Sequence, residues 1–424
     1  MRWLRSSTAG SIKTGVYHSL LVLERHHVRA AVVELIDGAA QLLGVATAPV
    51  HDLGPTGQPD VDRLAAGCER ALSEAEEMTR RAVGRKVVAD AASISLPTPL
   101  ASALAVSANR RRNARERISE RELNSVVKRA LRQAQDRLDA AGPKMDRDIV
   151  WGGVAETLVD GKIVLDPVGL HGSVLEVQAC FATAPHVWVR ALEVVAERLE
   201  LDLCCIVPDE MALAAAVPDA RALLVVLGQE HSQVAEIVRG RPRWVVTVPF
   251  GEQQVLGTIA KGVDFAERQV NALMRVYRAR HLRPDVEERV ALAYWKGLRR
   301  WMAALAEAIK EAYPAEGYPH RVWFVDTTRR MPEAENALAH PFWERALPFG
   351  RCPEVKTIVG PGGGSGAIAN VLDCTAQATD ESYRLARALA RHAARVYRDE
   401  GQSSGSANLD RMLMEAVTPS AARR

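Results

Sequence analysis

The sequence has few of the features that mark membrane, secreted or strongly charged proteins. No run of 18 apolar residues occurs in its 424 residues, so we expect no membrane-spanning segment. The opening residues 1–10 lack the apolar core of a secretory signal peptide. Positive and negative side chains nearly balance, with a formal net charge of +3. That balance excludes a strong overall field that would draw the protein to nucleic acid or to a membrane.

Cysteine is scarce, and its spacing does not indicate a metal site. The six cysteines include no CxxC pair, and none has a histidine partner at metal-ligand spacing. Cys204 and Cys205 are neighbours in an apolar, strand-like run, so we expect their side chains on opposite faces. Buried, reduced thiols are the expectation, and they fit a cytosolic protein. The six are Cys68, Cys180, Cys204, Cys205, Cys352 and Cys374.

Size and composition predict an ordinary globular protein with several subdomains. Apolar residues make up 48% of the chain and charged residues 25%, which is typical of the globular class. A chain of 424 residues exceeds what one hydrophobic core usually organises. We therefore expect roughly two to four subdomains.

One block of the sequence occurs twice, about 200 residues apart. Each copy has the pattern of three short strands joined by tight turns and followed by an amphipathic helix. The predicted elements are strands 20–23, 28–36 and 41–46 with helix 61–81, then strands 223–227, 233–238 and 244–248 with helix 258–277. The pattern predicts two similar lobes with a cleft between them as a natural ligand site. Two unrelated β-meanders are the alternative.

The segment between the copies is of another kind. A helix begins near Ser119 with a capping-box pattern to Glu122 and continues to about residue 141. Strand-like runs follow at 149–156, 161–165 and 173–183, and a helix at 187–199. After the second copy we predict a long helix at 284–313, a buried strand at 322–325, a helix from about residue 367 and a last helix at 379–397.

Several short motifs in this order resemble the bacterial cell-division protein family FtsA, of the actin-like ATPase superfamily. The most specific is Asp166-Pro167-Val168-Gly169, followed by the strand Leu175-Glu176-Val177. Pro249-Phe250-Gly251 is similar to the family's Pro-x-Gly turn, and Ala266-Glu267 to an Ala-Glu pair on its next helix. The resemblance covers residues 18–395.

The resemblance implies an α/β fold that is two-lobed, internally duplicated and actin-like (ribonuclease H-like), with an inserted α+β subdomain of FtsA type. The implied organisation is an extension (1–17), a first lobe (18–95 and 185–220), the insert (96–184), a second lobe (221–252 and 319–398), a reduced helical subdomain (253–318), and a polar linker and tail (399–424). The family implies a filament-forming ATPase that tethers the FtsZ ring to the inner face of the cell membrane. Self-association and an FtsZ-like or other divisome partner are implied with it.

The nucleotide motifs of that family are degraded here. A turn that binds phosphate needs small residues, because its backbone N–H groups must approach the phosphate oxygens. It also needs carboxylates nearby, which hold magnesium through its waters. The family's Asp-x-Gly-Thr corresponds to Val22-Leu23-Glu24-Arg25, its second Asp-x-Gly to Val226-Leu227-Gly228, and its Gly-Gly turn to Asp326-Thr327-Thr328. We therefore predict no catalytic residue and no hydrolysis, and leave ATP with magnesium as an open cofactor. The remaining candidates for nucleotide contact are Glu24, Gly228, Ser232, Gly251 and Glu267.

Four other features, a glycine-rich loop, an arginine run, aromatic residues and three histidines, each have a structural and a functional interpretation. The loop 360–366 is glycine-rich but lacks the GK[ST] ending of a phosphate loop, which favours a flexible connection. The arginines at 110–112, 115 and 117 lack interleaved aromatics, which favours a solvated hairpin over a contact for acidic lipid, an acidic partner or nucleic acid. Aromatic residues on the long helix are expected in the core. His26, His27 and His231 are expected at solvent-facing turns, with a metal site as the alternative.

The tail segment, residues 409–417, has an apolar stripe at helical spacing. It is about three turns long and lacks aromatics, so its membrane affinity as a surface helix is expected to be weak. The segment 269–319 is shorter than the family's FtsZ-binding subdomain, which leaves FtsZ binding open.

The predicted function is a non-hydrolysing scaffold in cell division or envelope morphogenesis. The alternatives are an active actin-fold ATPase or phosphotransferase, and a pilus-assembly adaptor like PilM.

Overall fold

The computed structural model describes residues 15–50, 58–140, 146–313, 317–358, 368, 370–375, 381–401, 413 and 417. The predicted glycine-rich loop at 360–366 lies outside these residues. Within them, no helix combines the length and the apolar character needed to cross a bilayer.

The strands form three sheets. In chain order they are β1 (Val16–Glu24), β2 (His27–Ile36), β3 (Ala39–Pro49), β4 (Ala91–Leu96), β5 (Ser102–Arg111), β6 (Arg147–Val159), β7 (Lys162–Val164), β8 (Val174–Pro185), β9 (Asp202–Pro208), β10 (Arg221–Leu227), β11 (Ser232–Val238), β12 (Arg241–Val248), β13 (Arg321–Asp326), β14 (Glu354–Thr357) and β15 (Val371–Asp373).

The helices cover these sheets. They are α1 (Val61–Val83), α2 (Glu120–Ala140), α3 (His186–Arg198), α4 (Asp209–Ala216), α5 (Glu252–Val263), α6 (Glu267–Arg278), α7 (Pro284–Ala312), α8 (Ala334–Leu338), α9 (Pro341–Ala346) and α10 (Arg384–Gly401). Local chemistry fixes their ends. In α1, for example, the Asp60 side chain accepts from the Arg63 N–H, and Gly84 ends the helix with a φ of 78°.

Two of the sheets repeat one topology, as the duplicated sequence pattern predicts. The first has the order β15-β3-β2-β1-β4-β9 and the second β12-β11-β10-β13-β14. In each, an antiparallel meander is extended by parallel strands: β1 pairs with β4 and β4 with β9, as β10 pairs with β13 and β13 with β14. The molecule is therefore two-lobed and internally duplicated.

One core joins the two sheets, and a second lies behind the second sheet. Successive residues of β10 alternate between them, because strand side chains point to opposite faces. Ala222, Leu224 and Val226 belong to the shared core, which also holds the apolar residues of α4 and α10. Leu223, Val225 and Leu227 belong to the second core, with α5, α6 and α7.

The insert is a third sheet, β5-β8-β6-β7, covered by α2. The buried face of α2 packs against this sheet and has apolar residues at helical spacing. Its members are Leu123, Val126, Val127, Ala130 and Ala134. The arginine run of residues 110–112 lies where β5 ends. Arg112 is buried against Glu122 at 2.9 Å, whereas Arg110 is more exposed.

The helical predictions are wrong at two places. The expected helix 258–277 is two helices, because Asp264 adopts a φ of 60° and the Phe265 N–H returns to the Ala260 carbonyl. The expected helix from about residue 367 does not continue, since β15 occupies residues 371–373. The last helix, α10, packs on the first sheet and α4.

The thiol and aromatic predictions are partly confirmed. All six cysteines are free, and Cys204 is exposed while Cys205 is buried, as strand alternation predicts. Cys68 and Cys180 are buried, which raises the pKa of each thiol to about 12. Cys352 and Cys374 are exposed, contrary to the expectation of burial.

Candidate functional site

The cleft between the two lobes is the candidate site. Its volume is about 460 Å³, within the range of small-molecule pockets. It forms where the carboxyl ends of β1 and β10, the corresponding strands of the two lobes, face each other. Its walls come from the turns after those strands, the loop after β13, the start of α4 and the start of α10.

The acidic residue of the first turn, Glu24, forms an ion pair within its own lobe. Glu24 ends β1, and both of its carboxylate oxygens accept from the guanidinium of Arg29, at 2.8 and 3.0 Å. Arg29 also donates to the Thr47 hydroxyl at 3.1 Å and lies over the ring of Tyr383. Glu24 is therefore in the cleft, as predicted, but its charge is already paired within the first lobe.

The second turn is closed against a helix. The Gly228 N–H donates to the His231 carbonyl at 2.9 Å, and a Cβ at Gly228 would lie 2.8 Å from that oxygen. The first N–H groups of α5 donate back to this turn, from Glu252 to the Gly228 carbonyl (3.0 Å) and from Gln253 to the Gln229 carbonyl (2.9 Å). A free helix N-terminus attracts phosphate. Here two of its donors are already used.

Gly251 makes this closure sterically feasible. A Cβ on Gly251 would lie 2.6 Å from the Gly228 carbonyl oxygen and 2.7 Å from that of Gln229. Its N–H donates to the Gln254 side chain at 2.7 Å, which caps α5. Gly251 thus allows the start of α5 to approach the second turn closely, and it does not line the cleft.

The two turns contact each other across the cleft. The Arg25 guanidinium donates to the Gln229 side-chain oxygen at 3.2 Å and lies 3.7 Å from a carboxylate oxygen of Glu230. These residues stand at the tips of the two turns. A direct link between protein side chains therefore spans the cleft between the lobes.

In the loop after β13, the carboxylate of Asp326 accepts hydrogen bonds from the same loop. Asp326 accepts from the N–H and the hydroxyl of Thr328, at 2.9 and 2.7 Å, and from the Met331 N–H at 2.8 Å. Arg384 of α10 donates to the Asp326 carbonyl at 3.3 Å. Burial lowers the pKa of Arg384, and its neighbour Glu381 opposes that shift.

Two buried carboxyl groups at the start of α4 were not predicted from the sequence. Asp209 lines the cleft, and burial together with the neighbouring Glu210 raises its pKa well above the usual value. Burial raises the pKa of Glu210 to about 7. Neither oxygen of Glu210, nor Oδ1 of Asp209, has a hydrogen-bond partner. The available indication was an acidic pair directly after the apolar strand that became β9.

A third buried carboxyl group, Glu252, lies across the cleft at the start of α5. It is 1% exposed, and burial raises its pKa while Arg330, 3.8 Å away, lowers it. Its Oε1 has no hydrogen-bond partner. Buried polar atoms without a hydrogen-bond partner therefore line the cleft at the starts of α4 and α5 and, with Nδ1 of His231, in the second turn.

Two predicted contact residues lie elsewhere. Ser232 is buried, donates to the Phe250 carbonyl at 2.6 Å and accepts from the indole N–H of Trp301 at 2.8 Å. Glu267 is exposed at the start of α6 and does not line the cleft. Of the five candidates, the structure places only Glu24 and Gly228 in the cleft wall.

His26, His27 and His231 all line the cleft, as the turn positions predicted. In the described part of the chain, however, no three histidine, cysteine or acidic side chains stand together as metal ligands. Asp209 and Glu252 are carboxylates in the cleft wall that could hold magnesium through waters, whereas Asp326 already accepts three hydrogen bonds. The two turns themselves fit a magnesium nucleotide poorly, because Glu24 is paired with Arg29 and two N–H groups at the start of α5 are taken.

Comparison with known proteins identifies the fold. No protein-family model and no curated protein matches the sequence. Among solved structures, the PilM–PilN type IV pilus biogenesis complex is 14% identical, with a TM-score of 0.56 over 89% of this chain and 99% of that one. The ethanolamine utilization protein EutJ from Carboxydothermus hydrogenoformans is 12% identical, with a TM-score of 0.41 over 80% of this chain and 84% of that one. The chain has the two-lobed, actin-like α/β fold that the sequence predicted.

Proposed function

We propose that this protein is a scaffold or adaptor that acts through protein contacts and does not hydrolyse nucleotide. The observation that carries the proposal is the Arg25 link to Gln229 and Glu230. In an ATPase of this fold the two turns are joined through the phosphates and their metal. Here Arg25 joins them directly, and this contact supports an arrangement of the lobes that needs no nucleotide.

The neighbouring contacts support the same conclusion. The Glu24 carboxylate is paired with Arg29, Asp326 is saturated by its own loop, and the first donors of α5 are taken by carbonyls. A triphosphate would have to displace each of these internal contacts before it gained any of its own.

The finer assignment within this proposal is a role in bacterial cell division or envelope morphogenesis, at the inner face of the membrane. It rests on the Asp166–Gly169 segment and the FtsA-like order of motifs. Self-association and an FtsZ-like partner belong to it. A pilus-assembly adaptor is the second candidate, and the similarity to the PilM–PilN complex is the observation that favours it.

Thermal unfolding with and without millimolar Mg-ATP tests the proposal. We expect no change in the unfolding temperature relative to magnesium alone. A ligand at a hundredfold over its Kd would stabilise the fold by about 2.7 kcal/mol, which such a measurement resolves easily. A clear stabilisation by Mg-ATP, or release of phosphate that is lost in Asp209→Asn, would instead establish the ATPase or phosphotransferase alternative.

The partner is tested separately by pull-down. The full chain is presented with an FtsZ tail peptide and with a PilN cytoplasmic segment, and a scrambled peptide serves as the control. Binding of the first supports the cell-division assignment, and binding of the second supports the pilus assignment. If neither binds, both finer assignments fail while the nucleotide result stands on its own.

A further inference from the structure

Leu413, in the tail segment, is buried inside the insert. It is 1% exposed and belongs to the core formed by the β5-β8-β6-β7 sheet and α2. Its Cβ lies 3.5 Å from the position that a Cβ of Gly152 would occupy, and the Phe181 ring lies 3.0 Å from the same position. Leu413 thus lies within van der Waals distance of this part of β6, next to the Phe181 ring.

Val417 continues this contact onto the first lobe. It packs against the core shared by the two sheets and lines a groove of about 480 Å³. One wall of the groove is in the insert, with Leu131 of α2 and Ile149 of β6. The other wall is α3 of the first lobe, with Val189. The tail residues therefore span the junction of two structural units.

The spacing of the two residues fits one helical face. Leu413 and Val417 are both in helical conformation and are four residues apart, so their side chains project to the same side. They are two of the five residues in the predicted apolar stripe; the other three, Leu409, Met412 and Ala416, lie outside the described residues. The stripe was considered above as a lipid-facing surface, but both described members face protein.

We propose that the tail segment is an intramolecular strap, anchored by Leu413 in the core of the insert and by Val417 at the groove between the insert and the first lobe. The proposal is independent of the function proposed above, because it uses no residue of the cleft. The strap is the chain's own segment: Leu413 is buried in the core of the insert, and Val417 forms part of the groove wall together with Ile149 and Val189. The strap holds the insert in a fixed position on the first lobe.

Hydrogen exchange of the full-length protein tests the strap. In the wild type we expect slow exchange in residues 410–418 and in the facing parts of β6 and α2. Leu413→Arg should speed exchange in both regions by about tenfold or more, the ratio that corresponds to about 1.4 kcal/mol of lost apolar burial. The matched control is Glu415→Arg, because two residues correspond to about 200° of helical rotation and the substitution lies outside the apolar stripe predicted from the sequence.

Two further measurements separate the strap from a general folding defect. Val417→Arg changes a partly buried residue at the groove and should open the same two regions, while exchange in α7 stays at the wild-type rate. A peptide of residues 407–421, added to the Val417→Arg variant, should restore protection of the groove. Fast exchange of residues 410–418 in the wild type, or unchanged groove protection in both arginine variants, would overturn the proposal.

Discussion

At the residue scale, the buried carboxyl groups at the start of α4 give the protein a pH-dependent stability. The pKa of Glu210 is raised to about 7 in the folded state, from an ordinary value of 4.5. The folded protein therefore binds a proton that the unfolded chain releases, and stability falls as pH rises through this interval. Asp209, whose pKa is raised by burial and by the neighbouring Glu210, adds to the dependence in the same direction.

Glu210→Gln removes the contribution of Glu210 and leaves that of Asp209. We expect the variant and the wild type to have similar free energies of unfolding at pH 4.5, and the variant to become the more stable by about 3 kcal/mol above pH 7, since one pKa unit corresponds to about 1.36 kcal/mol. Urea unfolding across this pH range measures it. Glu69→Gln, on the exposed face of α1, is the control and should leave the pH profile unchanged.

The site residues were predictable only where local pattern places them. Glu24 and Gly228 each follow a short apolar strand at a turn, and the repeat itself predicts that the two turns correspond. Asp209 could not be placed in this way, because β9 reaches the first sheet by pairing with β4 across the whole insert. Ser232 was misjudged for a related reason: both faces of β11 are covered, so alternation does not show which face is inside.

At the element scale, the start of α5 depends on the close approach of Gly251 to the second turn. Gly251→Ala should lower the free energy of unfolding by about 1–3 kcal/mol, because the new methyl group overlaps two backbone carbonyl oxygens that cannot move independently. Chemical denaturation measures the change.

Gly257→Ala is the matched control within the same helix. A Cβ at Gly257 would meet only the end of the Glu267 side chain, at 3.5 Å, which is an ordinary contact. Alanine also has the higher helix propensity, so this variant should be neutral or stabilising. Equal losses in the two variants would show that helix α5, and not its contact with the turn, determines the effect.

Helix and strand periodicity predicted most elements to within a few residues but not their breaks or partners. Nothing in the apolar stripe of residues 258–277 indicates the left-handed conformation of Asp264, because the stripe continues on both sides of it. For the last helix, the sequence predicted burial but not the surface that the helix packs against. Its apolar stripe predicts burial, whereas only the tertiary structure shows that the surface it covers is the first sheet and α4.

At the scale of the whole molecule, charged groups join the insert to the second lobe. Arg243 of β12 donates to the Gln178 side chain at 2.8 Å and lies 3.3 Å from Glu156, both in the insert. It also lies 3.4 Å from Glu236 of its own lobe. The side chains of Glu156 and Glu236 are only 6% and 4% exposed, so Arg243 neutralises two carboxylates with little access to water.

Arg243→Met should destabilise the protein by about 2 kcal/mol, since it removes the ion pair of the buried Glu156, whereas Glu236 keeps its contacts with Arg221 and Trp244. Combining it with Glu156→Gln should recover part of the loss, and the double-mutant cycle gives the coupling. Arg80→Met is the control: the Arg80–Glu77 pair is 57% and 59% exposed, and its loss should cost about 0.5 kcal/mol or less. Additive effects of Arg243→Met and Glu156→Gln would exclude a direct interaction.

The burial of Leu413 has a consequence for any external binder of the tail segment. A leucine enclosed by the insert has no surface left for a bilayer or for another protein, so an outside ligand must first detach it. Thermodynamic reciprocity then applies: whatever draws this helix outward loosens the insert by the same free energy, and whatever tightens the insert weakens that ligand equally.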